Sequence, residues 1–337
     1  MFDINYDFFL IENNFKEIEG VKSEKIQGDI PSKLPLVSIV IPTYKRVSTL
    51  RETLDSAIHQ TGNHNYEIIV VDNNPERGDE TELMMAEYVS VKNLLYFKNT
   101  VNIGMAGNWS RCSELANGEW VTLIHDDDLL VNNYLDEIEP CLINCVDGLF
   151  VRPKTFIDGE TLPILHNSEK MEIMKVTLMY QYLFPILCAS GNTLRKSKIL
   201  EYGGYTNKTF APDFFFSKMV YYGNVYITNK SLIYYRKGLN ESTKIEAMDK
   251  QSYIHHFFRI QNFSHIGVPK FIVNIIMLYS DILFERGFQS EWNRNYCYTH
   301  YPKYTRFDVF ISKITYKIVD IMIRVIRRCK RRIIVVE

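Results

Sequence analysis

Trp120-Val121-Thr122-Leu123-Ile124-His125-Asp126-Asp127-Asp128-Leu129-Leu130, residues 120–130, runs an apolar segment straight into three consecutive carboxylates. The apolar half reads as a buried strand. Three adjacent acids repel one another and are costly to desolvate unless positive charge sits among them. A divalent cation with oxygen ligands is the simplest such partner. The end of a strand in an open α/β sheet is also where ligands bind. A helix cap or a solvated turn is the ordinary alternative, and the run alone does not separate the two.

The segments upstream repeat the pattern. Leu36-Val37-Ser38-Ile39-Val40-Ile41 reads as a strand stopped by Pro42, and Tyr66-Glu67-Ile68-Ile69-Val70-Val71 as another ending in Asp72-Asn73-Asn74-Pro75. Leu94-Leu95-Tyr96-Phe97 makes a third, and apolar periodicity predicts helices near 49–60, 80–89 and 106–116. Apolar strands alternating with helices predict an α/β fold, a mostly parallel sheet flanked by helices. Shorter strands are expected across 145–240, with a helix near 214–222 and a last strand at 231–235; beyond about 250 the pattern turns helical and aromatic.

Composition agrees with a folded enzyme-sized chain: 337 residues, 46% hydrophobic and 23% charged. The net charge is −1, yet Lys303 to Glu337 holds ten basic and three acidic residues. The six cysteines form no CxxC pair and no zinc-ligand spacing, which predicts reduced thiols. The N-terminus lacks the pattern of a signal peptide, and no apolar run reaches the roughly 18–20 residues of a membrane span. These features lead to the expectation of a cytoplasmic chain.

The first strand is followed by Pro42-Thr43-Tyr44-Lys45-Arg46, without the GxGxxG turn of a dinucleotide-binding enzyme, and the P-loop pattern is absent too. The strand ends instead offer Thr43, Tyr44 and Arg46, then Asp72, then Asn102-Ile103-Gly104-Met105-Ala106-Gly107-Asn108-Trp109-Ser110-Arg111. Glycines let backbone approach a ligand, and a helix N-terminus favours phosphate. Any one of these turns is ordinary loop chemistry. Three polar turns on consecutive strands, followed by the acidic run at the next strand end, point to a nucleotide.

Val37-Ser38-Ile39-Val40-Ile41-Pro42-Thr43-Tyr44, Glu67-Ile68-Ile69-Val70-Val71-Asp72-Asn73, Asn102-Ile103-Gly104 and the His-Asp-Asp-Asp run together resemble family 2 glycosyltransferases of the GT-A, Rossmann-like fold. Gly203-Gly204-Tyr205, Asp213 before Phe216, and Tyr234-Tyr235-Arg236 resemble that family's acceptor half. The resemblance implies a lead-in at 1–35, a GT-A domain at 36–245 (nucleotide half 36–130, acceptor half 131–245), and a helical C-terminal region at 246–337. It implies inverting, hexosyl-type transfer from a nucleotide-diphosphate sugar, expected to be a UDP-sugar, to a glycan or lipid-linked glycan. Bacterial capsule or O-antigen synthesis is the implied setting, with no nucleic-acid partner. Pro42, Thr43, Tyr44 and Asp72 would line the base and ribose pocket. Arg46, Asn102, Gly104, Asn108 and Arg111 would border the nucleotide and donor sugar, with Asp126 near the ribose or sugar. Asp127 would bind Mn2+ or Mg2+, and Asp213 would be the general base.

Two positions depart from the family pattern. His125 stands where the DxD motif has its first acid, and Pro212 where an acid precedes the catalytic aspartate. Asp213 could instead, or also, cap the helix that follows it. A nucleotidyltransferase lacks support, because its glycine- and lysine-rich first loop is missing. An inactive nucleotide-sugar-binding subunit is supported only by His125 and Pro212. His59, His64, His166, His300 and the pair His255-His256 are read as structural. From Ile311 to Ile333, apolar residues at helical spacing oppose Lys313, Lys317, Arg324, Arg327, Arg328 and Arg331. Such a basic amphipathic helix either meets an anionic membrane, giving peripheral contact at its inner face, or docks on the protein.

Overall fold

All seven residues of Val37–Thr43 are buried, as an uninterrupted apolar run is when both faces of its strand are covered. The computed structural model describes residues 3, 5–165, 170–183, 189–209, 212–238, 254, 257–269, 310, 314, 317 and 333–335. Strands are β1 (Ser23–Gln27), β2 (Val37–Thr43), β3 (Tyr66–Asp72), β4 (Leu94–Asn99), β5 (Trp120–Leu123), β6 (Leu129–Leu130), β7 (Gly148–Ile157), β8 (Glu172–Lys175), β9 (Asn192–Arg195), β10 (Val225–Lys237) and β11 (Ile333–Val335). Helices are α1 (Val47–Ile58), α2 (Glu80–Met85), α3 (Gly104–Leu115), α4 (Tyr134–Ile138), α5 (Leu178–Leu183), α6 (Lys196–Glu201) and α7 (Phe214–Tyr222).

The strands form one sheet in the order β1-β4-β3-β2-β5-β9-β7-β10-β8-β11, with β6 pairing β10. Strands β2, β3, β4, β5, β7, β10 and β11 run one way, so the sheet is mostly parallel. Chain order reverses at β2, which lies between β3 and β5, so the crevice above the ends of β2 and β5 is the expected ligand site. Leu50, Leu54 and Ala57 of α1 pack with Ile39, Ile41, Ile68, Val70 and Trp120 in the core. Each such apolar side chain contributes about 1.5–3 kcal/mol by leaving water, which fixes the helix against the sheet.

Three differences from the sequence reading have physical causes. The lead-in contains β1, an edge strand antiparallel to β4, whose mixed Ser23-Glu24-Lys25-Ile26-Gln27 lacks an apolar run. The middle of the chain holds two long strands beside the short β8 and β9: β7 has 10 residues and β10 has 13, paired in parallel. Register slips between Ile227 and Ile233, and this irregularity spans the polar Thr228-Asn229-Lys230 that makes β10 look broken in sequence. Finally, Ile333 lies in β11, paired with β8, not at the end of a helix. Its β-branched neighbours favour a strand. Most of the basic amphipathic segment lies outside the described residues, as do most of residues 246–337, and no helix among the described residues is long and apolar enough to cross a membrane.

The chain divides into two units. One holds the sheet and comprises Phe9–Thr177, Ile186–Leu239 and Arg332–Glu337. Here the lead-in meets the turn after α6: the Asn14 amide donates to Gly203 O at 2.9 Å. Gly203 has φ +85°, and a Cβ there would fall 1.7 Å from Glu12 O, so the position accepts only glycine. The other unit comprises Met1–Phe8, Leu178–Pro185 and Asn240–Arg331. Within it Phe8 packs edge-on against Phe258, and Gln261 Nε2 donates to Tyr6 O at 2.6 Å.

Candidate active site

Strand β5 ends beside β2, and the Ile124 amide continues the ladder by donating to Val40 O at 3.0 Å. The chain then turns through the acidic run. Asp126 Oδ2 accepts from Thr43 Oγ1 at 2.7 Å, across the ends of these two strands. Lys45 has φ 55°, and this left-handed turn precedes Arg46, whose Nη1 donates to Asp127 Oδ2 at 2.5 Å and lies 3.9 Å from Asp126 Oδ1. Asp128 is fully buried and rigidly held. Its Oδ1 accepts from the Arg236 amide at 2.9 Å, and its carbonyl accepts from Thr53 Oγ1 at 2.8 Å. Arg236 Nε donates to Asp127 O at 2.8 Å while its other nitrogens reach Glu52 and Asp158, so the end of β10 clamps the run from behind.

The His125 amide donates to Ser190 Oγ at 3.0 Å. The ring packs against Trp109 of α3 with centroids 5.1 Å apart, and Nδ1 lies 3.5 Å from Asp128 Oδ2. His125 Nε2 is buried without a hydrogen-bond partner, and Asp128 Oδ2 has none beyond that ion-pair contact. Unsatisfied buried polar atoms are rare enough to need a reason. Donor atoms of His125, Asp127 and Asp128 lie within 4.8 Å of one another. One nitrogen and carboxylate oxygens at this separation fit a divalent cation of the Mn2+ or Mg2+ kind.

Burial shapes the charges here. Burial pushes the Asp126 carboxyl up to about 6, helped by Asp127 and opposed by Thr43, Arg46 and His125. Asp127 is raised by burial and by Asp128, against His125 and Arg46. Burial disfavours charge on His125, but Asp128 outweighs it, with Asp127 and Asp213 adding to the effect, and the ring rises to about 9. Asp213, at the start of α7, is pushed up to about 6 by burial, with His125 acting the other way. It occupies the N-cap position but makes no side-chain capping hydrogen bond. The carboxylate is therefore left for other work.

A raised carboxyl has a signed effect on stability. Folded Asp213 holds its proton up to about pH 6, while the unfolded chain releases it near 3.8. The folded state binds more protons across that window, so stability falls as pH rises through it. Asp213→Asn should then raise the melting temperature at pH 7, by roughly 2–4 °C per kcal/mol recovered. It should change little at pH 3.5, and a differential scanning calorimetry series over pH checks both ends.

Residues 38–202 match the profile described as Glycosyl transferase family 2. They form a family 2 glycosyltransferase domain. An uncharacterised glycosyltransferase of Methanocaldococcus jannaschii is 28% identical over 176 residues, 52% of this chain and 60% of its own length. One from Rickettsia typhi is 35% identical over 156 residues, 40% of this chain and 47% of its own. An abequosyltransferase of Salmonella typhimurium is 33% identical over 115 residues, 33% of this chain and 34% of its own. The chain thus spans less than two thirds of the length of these relatives. Among solved structures, S. aureus TarS 1–349 superposes with a TM-score of 0.50 at 19% identity, over 74% of this chain and 80% of that one. The mannosyltransferase PcManGT of Pyrobaculum calidifontis does so at 0.51 and 13%, over 88% and 79%. These two share the fold.

Other residues of the family 2 domain sit apart from the acidic run or are differently engaged. Asp72 is fully buried: its Oδ2 accepts from Lys98 Nζ at 2.6 Å and Tyr96 OH at 3.0 Å, and its Oδ1 accepts from the Asn74 amide. The lysine it pairs with also bonds Asp79 at 2.9 Å. Asn108 is buried too, bonded to Val71 O and to Asn99. Arg111 turns to the lead-in, donating to Ser23 Oγ at 2.8 Å and Ile18 O at 2.9 Å, and so does not border the acids. Asn102 is exposed and caps the Gly104 amide at 2.8 Å, while Asn207 takes the Ala106 amide at 3.2 Å, so two of the first amides of α3 already have acceptors. Pro42 is buried and Tyr44 is 45% exposed beside the Arg46 turn.

Sequence reasoning missed Lys98, Asp79, Ser190, Trp109 and Arg236 as supports. A lysine inside the apolar strand Leu94-Leu95-Tyr96-Phe97-Lys98 was the available signal, since a buried ammonium needs a carboxylate. Lys98→Met leaves Asp72 without its counter-charge and should cost about 3–5 kcal/mol, read from urea unfolding at pH 7.

Proposed function

We propose that the chain is an inverting, hexosyl-type glycosyltransferase that moves a sugar from a nucleotide-diphosphate donor, expected to be a UDP-sugar, to a hydroxyl of a glycan or lipid-linked glycan. The observation that supports this best is the buried run Asp126 to Asp128, with His125 and Asp213 electrostatically coupled beside it, at the switch point of the sheet. One end of such a set can hold a cation against a diphosphate. The other can take a proton from an attacking hydroxyl.

Asp213 is the base in this reading. A carboxyl raised to about 6 is more basic than an ordinary aspartate yet still ionised at pH 7. It accepts the hydroxyl proton as the acceptor oxygen bonds to the anomeric carbon. The bond to the diphosphate oxygen breaks on the opposite face, and its electron pair leaves with the nucleotide, so configuration inverts. Mn2+ or Mg2+ held by His125, Asp127 and Asp128 would offset the charge gathering on that leaving group. Thr43, Tyr44, Arg46, Asn102 and Gly104 border the nucleotide, Thr43 also orienting Asp126 through its hydrogen bond.

The Salmonella relative, an abequosyltransferase, supports sugar transfer. TarS 1–349 was solved with UDP-GlcNAc and PcManGT with GDP-Man and Mn2+, so the shared fold is compatible with either base. Surface-polysaccharide assembly, capsule or O-antigen, at the cytoplasmic face of a membrane is the setting that accompanies this reading. Mass spectrometry of products from a panel of nucleotide sugars with lipid-linked glycans tests the transfer, and the anomeric coupling constant by NMR tests its stereochemistry. An inverted anomer is expected. A retained one overturns the single-displacement mechanism, and no transfer from any donor overturns the activity.

A further inference from the structure

Asp127 is the acid of the run whose side chain is held by a long side chain, that of Arg46. Asp126 is tied to Thr43 and Asp128 to the Arg236 backbone, but Asp127 Oδ2 is held by Arg46 Nη1. The Arg46 side chain is 25% exposed while that of Asp127 is 6% exposed, so the arginine reaches from the surface to a buried acid. Arg46 stands at the N-cap position of α1 and makes no side-chain cap bond there.

We propose that Arg46 is an exchangeable counter-ion: it competes with the divalent cation for Asp127 and transfers to the donor diphosphate when nucleotide binds. The proposal rests on the glycosyltransferase reading of this site. An oxygen that accepts from a guanidinium at 2.5 Å has its charge compensated, and a cation bound to the same oxygen would stand within about 5 Å of the guanidinium. Two positive groups so close repel strongly in a site of low dielectric. A diphosphate offers Arg46 a better partner, because its planar fork matches phosphate oxygens two at a time. Drawing Arg46 away uncovers Asp127, so nucleotide and metal each strengthen the other's binding, by the same factor in both directions.

Calorimetric titration of the full chain with Mn2+, with UDP and GDP, and with both together tests this on wild type, Arg46→Met and Arg46→Lys. Arg46→Met keeps the apolar stem and removes the charge. It should bind Mn2+ alone about tenfold tighter, the scale of one lost charge-assisted hydrogen bond, and should bind nucleotide alone about tenfold more weakly. The mutual enhancement of nucleotide and Mn2+ should shrink. Arg46→Lys should keep near-wild-type Mn2+ affinity, since a cation remains, while losing the two-point grip on diphosphate. Unchanged or weaker Mn2+ binding by Arg46→Met, with an unaltered melting temperature and nucleotide still bound by wild type, overturns the exchange alone. No Mn2+ or nucleotide binding by any form overturns it together with the glycosyltransferase reading.

Discussion

Asp213→Asn should lower the transfer rate by about 10^2–10^4-fold and leave nucleotide affinity within about twofold. The asparagine is nearly isosteric and keeps the start of α7, where the aspartate makes no capping bond. What it removes is the negative charge that acts on His125 and that the proposed mechanism uses to take the acceptor proton. The same substitution should stabilise the fold at neutral pH, because burial penalises that charge. Lost turnover with gained stability separates a functional carboxylate from a helix cap, whose removal destabilises. Wild-type turnover in Asp213→Asn would refute its assignment as the base. For wild type, kcat/KM should rise with pH along a limb near pH 6, where Asp213 ionises.

The second large effect is expected at Asp127. Asp127→Asn should abolish the metal dependence of nucleotide binding and reduce turnover by at least about 10^3-fold, a loss typical of removing electrostatic stabilisation from a leaving group. Asp128 and His125 remain, but Asp128 already spends one oxygen on the Arg236 amide. Asp126→Asn should be milder, since its hydrogen bond with Thr43 can persist through the amide oxygen. Equal Mn2+-dependent nucleotide binding by wild type and Asp127→Asn would remove Asp127 from the metal set.

The four parallel strands from β2 to β5 were legible because a strand covered on both faces must be apolar along its whole length. Ile39, Val40 and Ile41, like Ile68, Ile69, Val70 and Val71, have no exposed side to announce a turn. Strand β1 escaped notice because an edge strand carries polar residues, and Ser23-Glu24-Lys25 reads as lead-in. The length of β10 was hidden by Thr228-Asn229-Lys230, of which Thr228 and Lys230 are nonetheless buried: Thr228 Oγ1 bonds the Lys230 carbonyl, and Lys230 Nζ meets both oxygens of Glu137. Polarity satisfied by a distant partner cannot be told from polarity satisfied by water in a linear string.

The site divides in the same way. Position at strand ends brings Thr43, Arg46, Asp126 and Asp127 into one cluster. It does not reveal that Asp72 is matched by Lys98, or that Arg111 points to Ile18 and Ser23. Those pairings depend on which strand lies next to which, and β4 and β1 are neighbours of the site only through the sheet order. His125 was visible as a departure from an acidic motif. Its packing against Trp109 of α3 and its unpartnered Nε2 are features of the folded chain alone.

The most direct test of the central claim is the thermal stability of the full chain against UDP-, GDP-, CDP- and dTDP-sugars, with and without Mn2+. A ligand that binds the folded state alone raises the melting temperature in proportion to RT ln(1 + [L]/Kd). The account predicts a shift for one nucleotide class that requires Mn2+ and disappears in Asp127→Asn. No shift with any nucleotide sugar in the presence of Mn2+, or a shift that survives in Asp127→Asn, would contradict it.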